Sequence, residues 1–424
     1  MALTPKLTDD LLDRGYSRRQ IAKISMGAAA AIPFFNEFAL AQDAAEIQST
    51  QGGGYGGGRG GRGGRGGSGG RGGGGFGGGR GAYDPDMVVI TSNENPMGPT
   101  KEGLEALIKV APMGWRYSPQ GDNLEFNQLL ASTENVPQDH VTAYPGSSIP
   151  LANVVPAFTS PTRPWVMGNP GYGSGASRWL GNKVIQVPLR KDYSHDVEAM
   201  IKADPNAGAF YICNPNNPTG TLTPRKDLEY ILANKPKDSV LIIDEAYVHF
   251  SGLENMSTDL VKADKDVVVL RTFSKIYGMA GLRAGAAYAR PDLLAKISQY
   301  GGSGFMPVTA TACAAASMKT IKTMMPERIA INKKNRELAF EHLEKIGVKY
   351  IPSGTNFFMM EVKGMTGAQV GSAMVTHKVR IGRTWPVWPQ MVRVTVGTYE
   401  EMTKFNAALD LVIKDGPPKV ASAG

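Results

Sequence analysis

Three apolar runs in this 424-residue chain each break off into residues that could do chemistry. Val267-Val-Val-Leu270 feeds into Arg271-Thr-Phe-Ser274-Lys275, and Arg283 follows inside a glycine-bracketed turn. Ala209-Phe-Tyr-Ile-Cys213 breaks into Asn214-Pro-Asn-Asn217-Pro-Thr-Gly220, and Val240-Leu-Ile-Ile243 into Asp244-Glu-Ala-Tyr247. A lysine at a strand end is ordinarily a solvated rim residue. Beside an amide (Asn217), a carboxylate (Asp244) and a phenol (Tyr247), it can instead form a Schiff base with a carbonyl cofactor. The carboxylate would keep a ring nitrogen protonated so that the ring acts as an electron sink. The phenol and the amide would hold a ring hydroxyl oxygen. Asp244 alone reads equally well as a helix cap; the three tips together, in this order, read as one site.

The elements that must position these groups follow from the same runs. Each is short, β-branched and continuous rather than alternating, which predicts strands covered on both faces of a parallel sheet. Helical patterns lie between them, as over residues 224–232, so the segment reads as repeated βαβ units. Ligands on such sheets bind at the carboxyl ends of the strands. The expected fold class is α/β.

The chain resembles the fold-type I pyridoxal-phosphate aminotransferases, and within them the histidinol-phosphate aminotransferase group. The resemblance covers about Met87 to the end. It rests on the three tips just named, on Ser274-Lys275 and Gly281-Leu-Arg283, on Ser92-Asn-Glu-Asn95-Pro-Met-Gly-Pro99 and on Val392-Arg393-Val-Thr-Val-Gly-Thr398. It implies a catalytic Lys275 and pyridoxal 5'-phosphate held by Gly146, Ser147, Ser148, Tyr172, Asn217, Asp244, Tyr247, Ser274 and Arg283. It implies Tyr117 reaching across a homodimer interface to the cofactor phosphate. Substrate contacts are expected from Asn95, Asn356, Arg383 and Arg393, with Arg393 gripping a carboxylate through its planar fork. Relatives commonly carry Gly-Ser-Asn or an acidic residue where Ser148-Ile149 stand. A glycine-serine turn before the helical pattern 149–158 offers N–H groups and hydroxyls to an anion; without the resemblance, it reads as an ordinary cap. Trp385 and Trp388, in an insertion between the two arginines, line an aromatic pocket or pack the smaller domain.

The first eighty residues read differently. Ser17-Arg-Arg-Gln-Ile-Ala-Lys23 is a twin-arginine pattern, followed by a moderately apolar stretch to Phe35 and a small-x-small site at Ala39-Leu-Ala41. Export through the twin-arginine machinery, into the periplasm, is the expectation. Residues 52–81 hold 22 glycines and five arginines. Such a tract cannot bury enough apolar area to offset chain entropy and is expected to be a disordered tether. Arginine with Tyr55 and Phe76 could also bind single-stranded nucleic acid; in an exported chain the tether is the stronger reading, and the high net charge is weak evidence for such binding. Residues 1–41 contribute one and residues 42–82 three of the net +8, so the remainder carries only four. No nucleic-acid partner is expected. Cys213 and Cys313 show no metal-ligand spacing and demand no disulfide; the histidines, including His249, show no ligand pattern either.

The expected organisation is a signal peptide over 1–41, a glycine-arginine linker over 42–82, and a first piece of the smaller α+β domain over 83–117. A large cofactor domain over 118–302 and the rest of the small domain over 303–424 complete it. The expected reaction passes an amino group from an amino acid, or histidinol phosphate, to a 2-oxo acid through Lys275. A decarboxylase or lyase on the same scaffold, or an Arg-Gly-Gly RNA-binding protein, are the alternatives.

Overall fold

The computed structural model describes residues 3–30, 84–117, 122–173, 175–302 and 304–417. The glycine-arginine tract, its proposed RNA-binding aromatics and the cleavage site at Ala39-Leu-Ala41 lie outside them.

Strands are numbered from β1 (Val88–Ile90) to β12 (Met391–Thr395). The three apolar runs are adjacent strands of one seven-stranded sheet. Its spatial order is β2 (Val141–Tyr144), β8 (Gly285–Tyr288), β7 (Val267–Thr272), β6 (Val240–Asp244), β5 (Ala209–Cys213), β3 (Trp165–Asn169) and β4 (Val184–Pro188). Neighbours pair in parallel except around β8, which is antiparallel to β2 and β7. Every residue of β5, β6 and β7 is buried, as the continuous runs require. Removing each of their valine, leucine, isoleucine and phenylalanine side chains from water contributes about 1.5–3 kcal/mol before entropy is counted. Register then decides function: Cys213 pairs with Asp244 and Asp244 with Leu270, so the three tips leave the sheet at one edge.

The small domain combines the sheet β12-β10-β9, with β9 (Lys349–Ile351) and β10 (Phe357–Glu361), and the parallel pair of β1 with β11 (Val379–Ile381). Its last helix, Tyr399–Asp415, starts at a capping box between Thr398 and Glu401. One domain boundary differs from expectation. Met306, Ala310, Cys313, Ala314 and Met318 sit in the large-domain core. Helix Val308–Lys319 packs closely against Lys101–Val110, where a Cβ added to Gly103 would lie 2.5 Å from Ser317 Oγ. Small side chains on both helices allow that approach, and the passage into the small domain occurs along helix Ile321–Lys345.

At the other end of the chain, helices Pro5–Asp13 and Arg18–Ala30 lie against the large domain through Leu11, Tyr16, Ile21 and Ile24. Among the described residues no helix is long and apolar enough to cross a membrane. Cys213 and Cys313 are both free and buried.

Candidate active site

Lys275 follows β7 directly. Its Nζ donates to the Ser92 carbonyl (3.1 Å) and stands 5.5 Å from the Tyr247 ring centroid. Burial, with Arg393 and Arg283 in reach, pulls its amine down to about 8, while Glu94 and Asp244 act the other way. A lysine so placed is neutral for much of its time near pH 8 and is a competent nucleophile and base.

Asp244, at the end of β6 and buried, accepts from the Tyr211 hydroxyl (2.8 Å) and the Ala246 N–H (3.2 Å). Burial pushes its carboxyl upward; Tyr211, Ala246 and Lys275 oppose that rise. Tyr247 accepts from Asn93 Nδ2 (3.0 Å) and Asn217 Nδ2 (3.4 Å). Both contacts use its oxygen, which leaves the O–H hydrogen for an acceptor in the cleft. Burial raises the phenol's pKa, so it remains a donor.

The small domain closes this cleft through Arg393 on β12. Its Nη1 donates to Asn217 Oδ1 (2.8 Å) and its Nη2 to the Thr91 carbonyl (2.7 Å). Asn217 therefore touches both the phenol and the arginine, one amide tying the two domains at the site. Arg383 and Arg393 both approach Trp385, whose ring centroid is 4.7 Å from the Arg383 guanidinium carbon and 5.6 Å from that of Arg393. Trp385 is buried with Ile351 and Met359, and half-buried Trp388 meets Tyr193 edge-on (5.7 Å). Of the two readings of these tryptophans, Trp385 follows the packing one.

The remaining wall is built for an anion. Helix Ser148–Phe158 begins at Ser147, after Gly146 in the left-handed region (φ 86°). Arg283 Nη1 donates to Ser274 Oγ (3.4 Å) and Nη2 to Ser148 Oγ (3.4 Å), and Nη1 also reaches the Ala280 carbonyl (2.8 Å). Arg283 itself has φ 65°, a strained conformation for a residue with a side chain. Among the described residues no carboxylate pairs with it, and burial lowers its pKa. A Cβ on Gly146 would fall 2.2 Å from Arg283 Nη2, so glycine is needed for the arginine to reach the helix start.

The other expected residues fall as follows. Tyr172 is half-buried and close enough to Arg283, Tyr211 and Tyr247 to affect their ionisation. Asn356 donates to the Asn93 (3.0 Å) and Glu94 (3.3 Å) carbonyls, holding the N-terminal substrate segment. Asn95 spends its amide on nearby backbone: its Nδ2 donates to the Ile276 carbonyl (3.1 Å) and its Oδ1 accepts from Met97 N–H (3.1 Å). Tyr117 is 77% exposed, stacked on Phe305, and not in this protomer's cleft.

Residues that sequence reasoning passed over complete the site. Asn93 orients Tyr247, Tyr211 holds Asp244, and the Thr272 hydroxyl donates to Ser274 Oγ (2.9 Å). Beneath the tips, Arg271 bridges Glu245 (2.6 Å) and Glu134 (2.7 Å), all buried or nearly so. A hydroxyl-bearing residue within an otherwise apolar strand was the signal for Tyr211; Glu134 carried none.

The sequence profile of aminotransferase class I and II matches residues 85–409. The chain belongs to that family. It is similar to the histidinol-phosphate aminotransferase 1 of Cupriavidus pinatubonensis, 33% identical over 350 residues, 79% of this chain and 90% of the relative. The histidinol-phosphate aminotransferase of Moorella thermoacetica is 29% identical over 332 residues, 76% of this chain and 85% of the relative. The solved histidinol-phosphate aminotransferase of Sinorhizobium meliloti, in complex with pyridoxal-5'-phosphate, has a TM-score of 0.71 over 78% of this chain and 91% of that one. At 24% identity that likeness speaks to the fold.

This aminotransferase uses pyridoxal 5'-phosphate, and its own residues fit the group. Arg283, Ser274, Ser148 and the helix start suit a phosphate. Asp244 suits a ring nitrogen, Tyr247 and Asn217 a ring oxygen, and Lys275 the aldehyde. The activity is transamination of an amino donor with a 2-oxo acid.

Proposed function

We propose that the enzyme is an exported, homodimeric transaminase whose donor carries a carboxylate held by Arg393. Pyridoxal phosphate, when bound, supplies a ring that stabilises negative charge at the donor's α-carbon. Lys275 Nζ, neutral in an appreciable fraction near pH 8, takes the α-proton and hands it back within the cleft. Asp244 keeps the acceptor ring electron-withdrawing, and Tyr247 and Asn217 fix its orientation. Arg393 aligns the donor, its planar fork matching a carboxylate in two parallel hydrogen bonds.

The observation that carries this reading is the position of Lys275 among Ser92, Tyr247, Asp244 and Arg393. Lys275→Ala is expected to lose turnover by about 10⁴-fold or more while keeping the native melting curve. A folded variant with near-native turnover would overturn it. The donor class is read by titrating amino acids and histidinol phosphate against the cofactor's visible absorption. Histidinol phosphate is a second candidate donor, because Arg383 and Arg393 both approach Trp385 and two guanidiniums suit a phosphate as well.

Dimerisation is supported by a run of exposed apolar side chains. Ile108, Trp115, Tyr117 and Phe305 are 62–77% exposed, with Tyr117 and Phe305 stacked at 4.9 Å. A second copy covering this face would bring Tyr117 to the partner's phosphate site. Export is supported by the twin-arginine pattern, since that route carries folded cargo and suits an enzyme that captures its cofactor before crossing.

A further inference from the structure

The segment that bears the arginine pair is folded onto the enzyme. Helix Pro5–Asp13 closes at Gly15 (φ 87°), where Tyr16 N–H reaches back to the Leu11 carbonyl and Gly15 N–H to that of Leu12, both at 3.0 Å. The chain re-enters helix at once. Gln20 N–H donates to Ser17 Oγ (3.3 Å) and Ser17 N–H to Gln20 Oε1 (2.7 Å), a reciprocal cap. That cap sets the phase of helix Arg18–Ala30: Arg18 and Arg19 are exposed, while Ile21 and Ile24 turn inward.

The inward side is part of the core. Leu11, Tyr16, Ile21 and Ile24 are at most 7% exposed and share a cluster with Val154, Phe158 and Leu180. Polar contacts fix the same geometry. Arg14 donates to the Pro156 carbonyl (2.7 Å), the Thr159 carbonyl (2.9 Å) and the Tyr300 hydroxyl (2.7 Å). Tyr16 donates to the Thr159 carbonyl (2.7 Å) and accepts from Asn182 (2.8 Å), and Gln20 Nε2 donates to the Leu180 carbonyl (2.8 Å). The last carbonyls of helix Ser148–Phe158 have no partner within the helix, and the leader supplies them.

We propose that this docking is an autoinhibitory contact on the export signal: the folded large domain holds residues 4–25 by their apolar side and leaves the arginine pair outside. The inference rests on the export reading above. Ile21 lies within the arginine motif and Ile24 opens the apolar stretch of the signal; neither can occupy the enzyme core and a transport receptor or lipid at once. Engagement therefore draws on the undocked fraction alone, and its apparent strength falls by that fraction.

The test uses the full-length, cofactor-loaded protein and the double variant Arg14→Ala/Tyr16→Phe, which leaves the twin-arginine motif and the catalytic residues intact. Hydrogen exchange of amides 11–25 is expected to be slow in the parent, and about tenfold or more faster in the variant, with catalytic activity unchanged. In cells with twin-arginine transport, the variant is expected to leave the cytoplasm severalfold faster. Asn182→Ala, which removes one contact to Tyr16 from the enzyme side and leaves the signal untouched, should move both readouts less in the same direction. Unprotected amides in the parent would overturn the docking. Lost protection with an unchanged or slower export rate would overturn the inhibitory role and leave export standing. Export of Arg18→Lys/Arg19→Lys at the parental rate would instead remove the export reading, and the inhibitory role with it, whatever the exchange data say of docking.

Discussion

Helix Ser148–Phe158 has a half-buried arginine at each end, and the two arginines are opposites. Arg14 meets the C-terminal end, where the backbone dipole favours a cation and three carbonyl or hydroxyl oxygens accept its hydrogens. Burial alone would lower its pKa, but Tyr300, Tyr16 and Asp10 outweigh it and the guanidinium is held above its ordinary value. Arg283 meets the N-terminal end, where the dipole disfavours a cation, in a strained backbone and with its pKa lowered by burial. A guanidinium at a helix C-terminus is finished when its carbonyls are reached. One at a helix N-terminus is stabilised only once an anion enters between them. The same residue type on one helix thus marks a structural cap at one end and a phosphate site at the other.

The largest expected effect separates the two ends outright. Arg283→Met should weaken pyridoxal phosphate binding by roughly a hundredfold or more, since it removes a charge-assisted contact from a desolvated site. It should leave the unloaded protein as stable as before, or more so, because a partly desolvated cation is gone while the backbone conformation stays the same. Arg14→Met should do the reverse: unchanged cofactor affinity and a loss of about 2 kcal/mol in unfolding free energy. Equilibrium dialysis against the cofactor and denaturant melts of both unloaded variants decide it; parallel losses in both would mean the two ends do not differ.

Gly146→Ala is a smaller blow aimed at the same end. The φ of 86° costs alanine about 1–2 kcal/mol, and the new Cβ would displace Arg283 Nη2, 2.2 Å away. Cofactor affinity should fall about tenfold, together with the melting temperature. A fall in stability with unchanged affinity would show that Arg283 is not the anion's main partner.

These contrasts also mark what could be read from the sequence. The tips of β5, β6 and β7 were legible because continuous β-branched runs have few other uses, and register follows from parallel pairing. Gly146, Ser148, Ser274 and Arg283 were legible through the resemblance, and the structure brings them to one wall. Asn95 shows the limit of carrying a motif over: its amide is spent on Met97 and Ile276, while Asn93, two residues earlier, reaches the phenol. Glu134 pairs with Arg271 from 137 residues away, a juxtaposition that only the packed fold creates. Helix Val308–Lys319 packs into the larger core although the chain beyond residue 302 reads as small domain, because its small side chains fit either core. The arginine pair and the apolar stretch after it stand out in the sequence, but the surface on which that segment docks lies at Pro156, Thr159 and Leu180, far along the chain and of unexceptional composition.

The smallest effect uses Lys275 as a reporter of which arginine faces the cleft. Burial lowers its pKa most, then Arg393, with Arg283 a lesser contributor in the same direction. Only the neutral amine attacks an aldehyde, so the rate at which unloaded enzyme captures pyridoxal should rise with pH through a midpoint of about 8. Because that value lies below the unfolded 10.5, the unfolded chain binds more protons between the two. This group's contribution to the stability of the unloaded protein must then increase as pH rises across that window. Arg393→Leu should move the capture midpoint upward, Arg283→Met upward by less, and Arg14→Met not at all. The order matters more than the sizes: a shift from Arg14→Met would mean that the distant end of the helix is felt at the amine, and that the cap and the phosphate site are not separate after all.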